Sequence, residues 1–421
     1  MTLRHLGLGP SILGYLSLTA AAASAQGTAA ATCSSYSHAE VNKVDLLFVV
    51  DNSRSMSDEQ RALTDQIPKL IDAITTGQRF AGDPRPFRPV TDLHVGVVST
   101  DMGIPGVEFP PSCSPDGGSD GRLLHAAPQE TQLSCQREYP QYQSYRAHYD
   151  DRDALANAVA CTASLGTEGC GIEQPLESAF KALWPKAPPA GSQQNPFRFI
   201  STTEAGTWGR GDRTEAQGGN YGFLRNDPDD PSLIAIVLLT DEEDCSVGET
   251  SHLQPRSQLA EDSPYWQQDI NLRCYYNKQF LFDLERRYLD GLRALRPGRE
   301  DLVFFSVIAG VPADLVSRDV LARTDFSDAA ARDTFYDDIL NDPRMQEAID
   351  PSSNPGSGTG NLRPSCVRSV AGESGVSTAF PPRRLVSLAR AFGKHGMVQS
   401  ICQDDFGPAV DAIVDGLADH L

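Results

Sequence analysis

Positive charge is scarce in this sequence. Against 56 Asp and Glu stand 36 Lys and Arg, a formal net charge of −20 over 421 residues. Nucleic acid and anionic lipid are held by clustered Lys and Arg, so the deficit excludes both as main partners and leaves divalent cations compatible. Zinc spacings are missing too: there is no His-Glu-x-x-His and no Cys-x-x-Cys. No P-loop and no Gly-x-Gly-x-x-Gly opens a helix, and no internal repeat is visible. Gly117-Gly118-Ser119-Asp120-Gly121 has the letters of a hydrolase elbow but lacks the apolar strand that must precede one. No nucleophile–base pairing can be argued, and the chain is read as non-enzymatic. After the first 25 residues no apolar run is long enough to cross a bilayer.

What is present starts with an export signal. Arg4 and His5 precede the apolar run Ser11–Ala23, and Ala23-Ser24-Ala25 fits small-residue cleavage before Gln26. Residues 1–25 are therefore expected to be a signal peptide and 26–42 a linker, placing the protein in the periplasm, on the cell surface or outside the cell. Nine cysteines suit such an oxidising compartment. Their order suggests local pairs, Cys113–Cys135, Cys161–Cys170, Cys245–Cys274 and Cys366–Cys402, although spacing alone does not determine connectivity. Cys33 is left over, as a free thiol, an intermolecular bridge or a lipid attachment point.

From residue 43 onward, apolar runs alternate with amphipathic segments. Val44–Val50, Leu93–Val98, Leu233–Leu239, Leu302–Ile308 and Met397–Ile401 read as strands, the near-continuous ones buried on both faces. Helices are expected from about Asp58 to Ile74, through Leu176 to Leu183, around Phe280–Leu295, near Ser327–Ala348, and after Pro408. The pattern predicts an α/β fold: a mostly parallel central sheet flanked by helices on both faces. Long disulfide-bearing insertions are expected at about 103–150, 185–231 and 310–380 of a single domain spanning 43–421. The Asp227-Pro-Asp-Asp-Pro231 stretch and the tripeptide Arg210-Gly211-Asp212 read as solvated loop.

In open α/β sheets, ligands bind beyond the carboxyl ends of the strands. Asp51, Ser53 and Ser55 follow the first strand there, and Asp241 follows the third. Thr100-Asp101 follows the second and borders the same crevice. Two carboxylates and two hydroxyls make a hard-oxygen set suited to Mg²⁺, with Mn²⁺ or Ca²⁺ as further candidates.

Asp51-x-Ser53-x-Ser55 between an apolar strand and a helix resembles the metal-ion-dependent adhesion site of von Willebrand factor type A domains. Thr167, in Leu165-Gly166-Thr167-Glu168-Gly169, matches that family's second-loop Thr, and Asp241 its third-loop Asp. Asp241–Ser246 and Ser400-Ile401-Cys402 are similar to a group of bacterial exported members. The resemblance implies a Rossmann-like fold. It also implies a cation contacted by Ser53, Ser55 and Thr167, with Asp51 and Asp241 acting directly or through water. The implied function is binding or adhesion through a carboxylate presented by a partner protein. Two residues depart from the family pattern: Arg54 and Glu242 stand where Gly is common. The competing readings are a metal-dependent hydrolase, with a base among Glu242, Glu243 and Asp244, and a purely structural envelope protein.

Overall fold

The computed structural model describes residues 41–79, 84–104, 107, 113, 118–127, 134–184, 197, 199–200, 208–209, 220–227, 229–352, 360–369 and 376–421. The expected signal peptide, most of the linker, Cys33, Gly117 and Arg210–Asp212 lie outside these residues.

Among the described residues ten strands form: β1 Lys43–Val50, β2 Asp92–Ser99, β3 Gln143–Arg146, β4 Phe199–Ile200, β5 Trp208–Gly209, β6 Leu233–Leu239, β7 Val303–Ala309, β8 Cys366–Ser369, β9 Val376–Ala379 and β10 Gly396–Ser400. Six make one sheet in the order β10-β7-β6-β1-β2-β3. All its neighbours run parallel except β3, which adds antiparallel to the β2 edge. The other four make two separate hairpins, β4–β5 and β8–β9.

Every residue of β6 and β7 is buried. Alternation divides the strands between two cores. Val44, Leu46, Phe48 and Val50 of β1 enter one cluster; Leu47 and Val49 enter the other. Helices α1 (Ser57–Thr64), α2 (Ile67–Thr76) and α3 (Arg152–Ala163) cover the first face with the C-terminal helix Gly407–Ala418. Helix α4 (Pro175–Leu183), the Leu284–Arg293 segment and helices Ala329–Asn341 and Arg383–Ala391 cover the second. Each Val, Leu, Ile or Phe so buried stabilises the fold by roughly 1.5–3 kcal/mol. A parallel sheet covered by helices on both faces therefore follows from the apolar runs.

Three expectations need correction. The segment from Asp58 to Ile74 is two helices, because Pro68, in the first turn of α2, has no amide to continue the ladder from α1. The Phe280–Leu295 segment is shorter than expected and opens with a π-helical turn at Leu284–Leu289. Two of the proposed disulfides are re-paired. Cys113 bonds Cys170 and Cys135 bonds Cys161, while Cys245–Cys274 and Cys366–Cys402 form as expected. Cys161 lies on α3, against which the 134–136 segment packs, with Asn157 Nδ2 reaching Ser134 O. Cys170 instead joins a small core with Cys113, Ile104 and Ile172. Pairing by nearest sequence neighbour fails because tertiary packing, not loop length, brings these sulfurs together.

The amino end of the sheet is closed by charge. Asp45 of β1 is fully buried and accepts bonds from Arg225 Nε at 2.7 Å, from the Arg225 amide at 2.9 Å and from Ser232 Oγ at 2.5 Å. Arg296 stands 3.7 Å away. At the far edge, His395 Nδ1 and His420 Nε2 are 3.1 Å apart, and burial pushes both imidazoles down to about 4.

Two stability outcomes are expected. Arg225→Ala leaves Asp45 buried without its main partner and costs about 3–5 kcal/mol in urea denaturation; a cost below about 1 kcal/mol would show that Arg296 alone compensates it. For the His pair, the folded pKa lies below the unfolded value near 6.5. Its contribution is thus present above pH 6.5 and lost as pH falls towards 4. Wild type should lose more melting temperature between pH 7 and 5 than a His395→Gln/His420→Gln double variant; parallel losses refute the assignment.

Candidate functional site

The strand order places β1 between β2 and β6, so the chain leaves β1 first to one side and later returns on the other. The crevice at such a reversal lies between the carboxyl ends of β1 and β6. Register puts Val50 beside Leu239, so Asp51 and Thr240 emerge side by side. Asp51 N donates to Leu239 O at 2.9 Å, and Thr240 Oγ1 donates to Asp51 Oδ2 at 2.6 Å. The other Asp51 oxygen accepts the Ser53 amide at 2.8 Å. That bond turns the loop so that Ser53 Oγ and Ser55 Oγ lie 3.2 Å apart, with Ser55 exposed at the mouth.

The second loop is tied to the first on both sides of Thr167. Gln60 of α1 donates to Asp51 O at 2.7 Å and to Gly166 O at 2.8 Å, and accepts from the Leu165 amide at 3.0 Å. Beyond Thr167, the Gly169 amide donates to Asn52 O at 2.8 Å. A Cβ on Gly169 would meet Asn52 Oδ1 at 2.1 Å, so a larger residue there would push the Asn52 side chain out of place. Asn52 Oδ1 is itself held by Ser99 Oγ at 2.6 Å. Thr167, Ser53 and Ser55 all line one cavity of about 860 Å³. Asp241 does not line this cavity but is buried beside it, close enough for the Ser55 hydroxyl to favour its charged form.

Among the described residues no cation forms an ion pair with Asp51, Glu173, Asp241 or Glu242. Burial, then repulsion from Asp51, pushes the Asp241 carboxyl well above the carboxylate range. Burial likewise raises Asp51. Glu173, just before α4, and half-buried Glu242 are pushed well up by burial and by these neighbours. Asp241 Oδ1 is buried without a hydrogen bond. Among the described residues no three His, Cys, Asp or Glu side chains group tightly enough to ligate a metal by themselves. The donor set is two loops of hydroxyls with separate carboxylates. Hard oxygens, an orphaned carboxylate oxygen and unbalanced negative charge fit a divalent cation with water in its remaining positions.

Other candidates are committed elsewhere. Asp101 accepts the Gly103 amide at 2.8 Å, and left-handed Gly118 packs against it, so it shapes its own loop. Glu243, pushed up to about 8 by burial and then by Glu347, accepts the amides of Asp244 and Arg384. Asp244 bonds Arg384 Nε at 3.0 Å. Asp230 pairs with Lys43. Arg54 is exposed at the cavity mouth. Sequence reasoning missed Glu173 and Gln60, which lie away from the strand ends that drew attention; Glu173-Gln174-Pro175 at a helix start was the available signal.

A scan against protein-family models finds no match, and a search of curated proteins returns none.

Gln60→Met removes the three Gln60 bonds that tie the two loops together and leaves the Gly169–Asn52 bond. It should speed amide exchange across 165–169 about tenfold, a local loss of about 1.4 kcal/mol. Unchanged exchange by mass spectrometry would show that Asn52 and the disulfide suffice.

Proposed function

We propose that this chain is an exported binding protein of the von Willebrand factor type A kind. In this reading Ser53, Ser55 and Thr167 hold a divalent cation, Mg²⁺ first and Mn²⁺ or Ca²⁺ next. Asp51 and Asp241 balance it directly or through water. The cation supplies a Lewis-acidic position that a partner protein's carboxylate completes. What carries the reading is the meeting of three loop ends at the sheet's reversal point, where the buried Asp241 Oδ1 lacks a partner and the Ser55 hydroxyl opens to a cavity. The mostly parallel sheet, with β1 between β2 and β6, is in keeping with it. So are the four disulfides, and so is the lack, among the described residues, of a helix long and apolar enough to cross a membrane.

The hydrolytic alternative needs a free base near the cation. Glu243 and Asp244 are bonded to Arg384 and to backbone amides, which leaves Glu242 to fill that role.

Calorimetric titration with Mg²⁺, Mn²⁺ and Ca²⁺ should give one cation per chain, and Asp51→Ala or Asp241→Ala should weaken it at least about tenfold, roughly 1.4 kcal/mol, with circular dichroism unchanged. Partner capture from envelope extract should then require Mg²⁺ and fail in EDTA. Capture that ignores EDTA and both variants would sink the bridging role and leave a structural one. Turnover lost on Glu242→Gln would favour hydrolysis.

A further inference from the structure

The cavity is far larger than a cation and one carboxylate require. Its volume of about 860 Å³ lies within the roughly 300–1,000 Å³ of sites that enclose most of a small ligand. Ile270, Tyr275, Leu281, Leu284 and Leu362 line it and are only half-buried, so apolar surface stays open to the cavity. An apolar group entering there removes that surface from water. Three of the four cationic side chains on the lining are bonded within the chain. Lys278 pairs with Glu347, Arg384 bonds Asp244, and Arg383 donates to Leu340 O at 2.7 Å and Met345 O at 3.0 Å. The fourth, the Arg54 guanidinium, has no hydrogen bond or ion pair among the described residues. It is exposed at the mouth, between Ser53 and Ser55.

We propose that the cavity takes the carboxyl-terminal residue of a partner chain, an aromatic or long aliphatic one, with its α-carboxylate at the mouth between the cation and Arg54. This rests on the cation-bridging reading above. The layout sets the polarity of the ligand. Ser55 and Arg54 are exposed and polar, while the apolar residues lie half-buried beyond them, so the carboxylate stays at the mouth and the apolar group goes in. A chain end carries both on one Cα. An Asp or Glu within a chain puts its carboxylate on the side chain itself, and a second residue would have to supply the apolar group. The Arg54 fork can take the carboxylate oxygens that the cation leaves over, in charge-assisted bonds. Glu168, Glu173 and Glu242 share the lining and attract no carboxylate by themselves, so the ligand is tied to the metal. A peptide suits the lining better than a fatty acid does. Asn271 Nδ2 and Asn361 Oδ1, 3.1 Å apart, bring amide groups to it that a peptide backbone can bond and a hydrocarbon tail cannot.

Synthetic hexapeptides with free carboxyl ends, randomised at their last residues and selected on the full-length protein in Mg²⁺, test this. Recovered peptides should end in Phe, Trp, Leu, Ile or Met. The best of them should weaken about tenfold when made as its carboxyl-terminal amide, and about tenfold again against Arg54→Ala, while Mg²⁺ affinity does not fall. Arg54 is exposed, so its loss spares the fold; Leu281→Ser, checked by circular dichroism, should weaken the same peptide about fivefold. Peptides that bind equally well as amides, recovered ends without apolar enrichment, or no recovered peptide would overturn the proposal, and Mg²⁺ titration of Asp51→Ala would still judge the cation reading by itself. Dodecanoate that displaces every peptide and binds more tightly than any would overturn the chain end in favour of a free fatty acid. Full peptide affinity in EDTA would sink the bridging cation and, with it, the place given to the carboxylate.

Discussion

A carboxylate buried where a parallel strand ends is costly unless its oxygens are bonded. Asp51 meets that cost with two contacts, the Ser53 amide and the Thr240 hydroxyl. The rest of the crevice depends on them. The first sets the turn that brings Ser53 and Ser55 together. The second crosses the reversal of the sheet and joins the end of β1 to that of β6. Gln60 extends the same logic to the second loop, with one amide side chain serving three backbone groups. The crevice is thus shaped by short local bonds at strand ends and needs no long-range lever to hold its form.

The two ends of the sheet treat acid differently. At the amino end, Asp45 is met by Arg225, Ser232 and Arg296, and its charge is answered within the chain. At the carboxyl end, Asp51, Glu173, Asp241 and Glu242 repel one another and, among the described residues, form no ion pair, with exposed Arg54 at the cavity mouth. A fold able to neutralise one buried acid so completely leaves the other group unbalanced, and such imbalance is a recurrent mark of ligand sites.

Legibility follows physical cause. β1, β6 and β7 were readable because burial on both faces demands unbroken apolar runs. Asp51 and Asp241 were readable because they end such runs. β3 was not: an edge strand of four residues, with only Gln143 and Tyr145 turned inward, leaves no period to detect. The break between α1 and α2 was written in Pro68, yet the surrounding helical spacing masked it. Glu173 escaped because its role comes from packing, where loop 165–174 folds over the first loop. The crossed cysteines escaped for the same reason, since contact between distant segments leaves no trace in spacing.

The Cys113–Cys170 bond lies three residues from Thr167 and ties the second loop to the first insertion. Such a bond persists only where thiols are oxidised. Under reducing conditions the polypeptide would lack this covalent anchor beside Thr167. Oxidation of these two thiols adds a cross-link over a sequence separation of 57 to the hydrogen bonds that already join the loops, so the stiffness of the second loop becomes a function of redox potential.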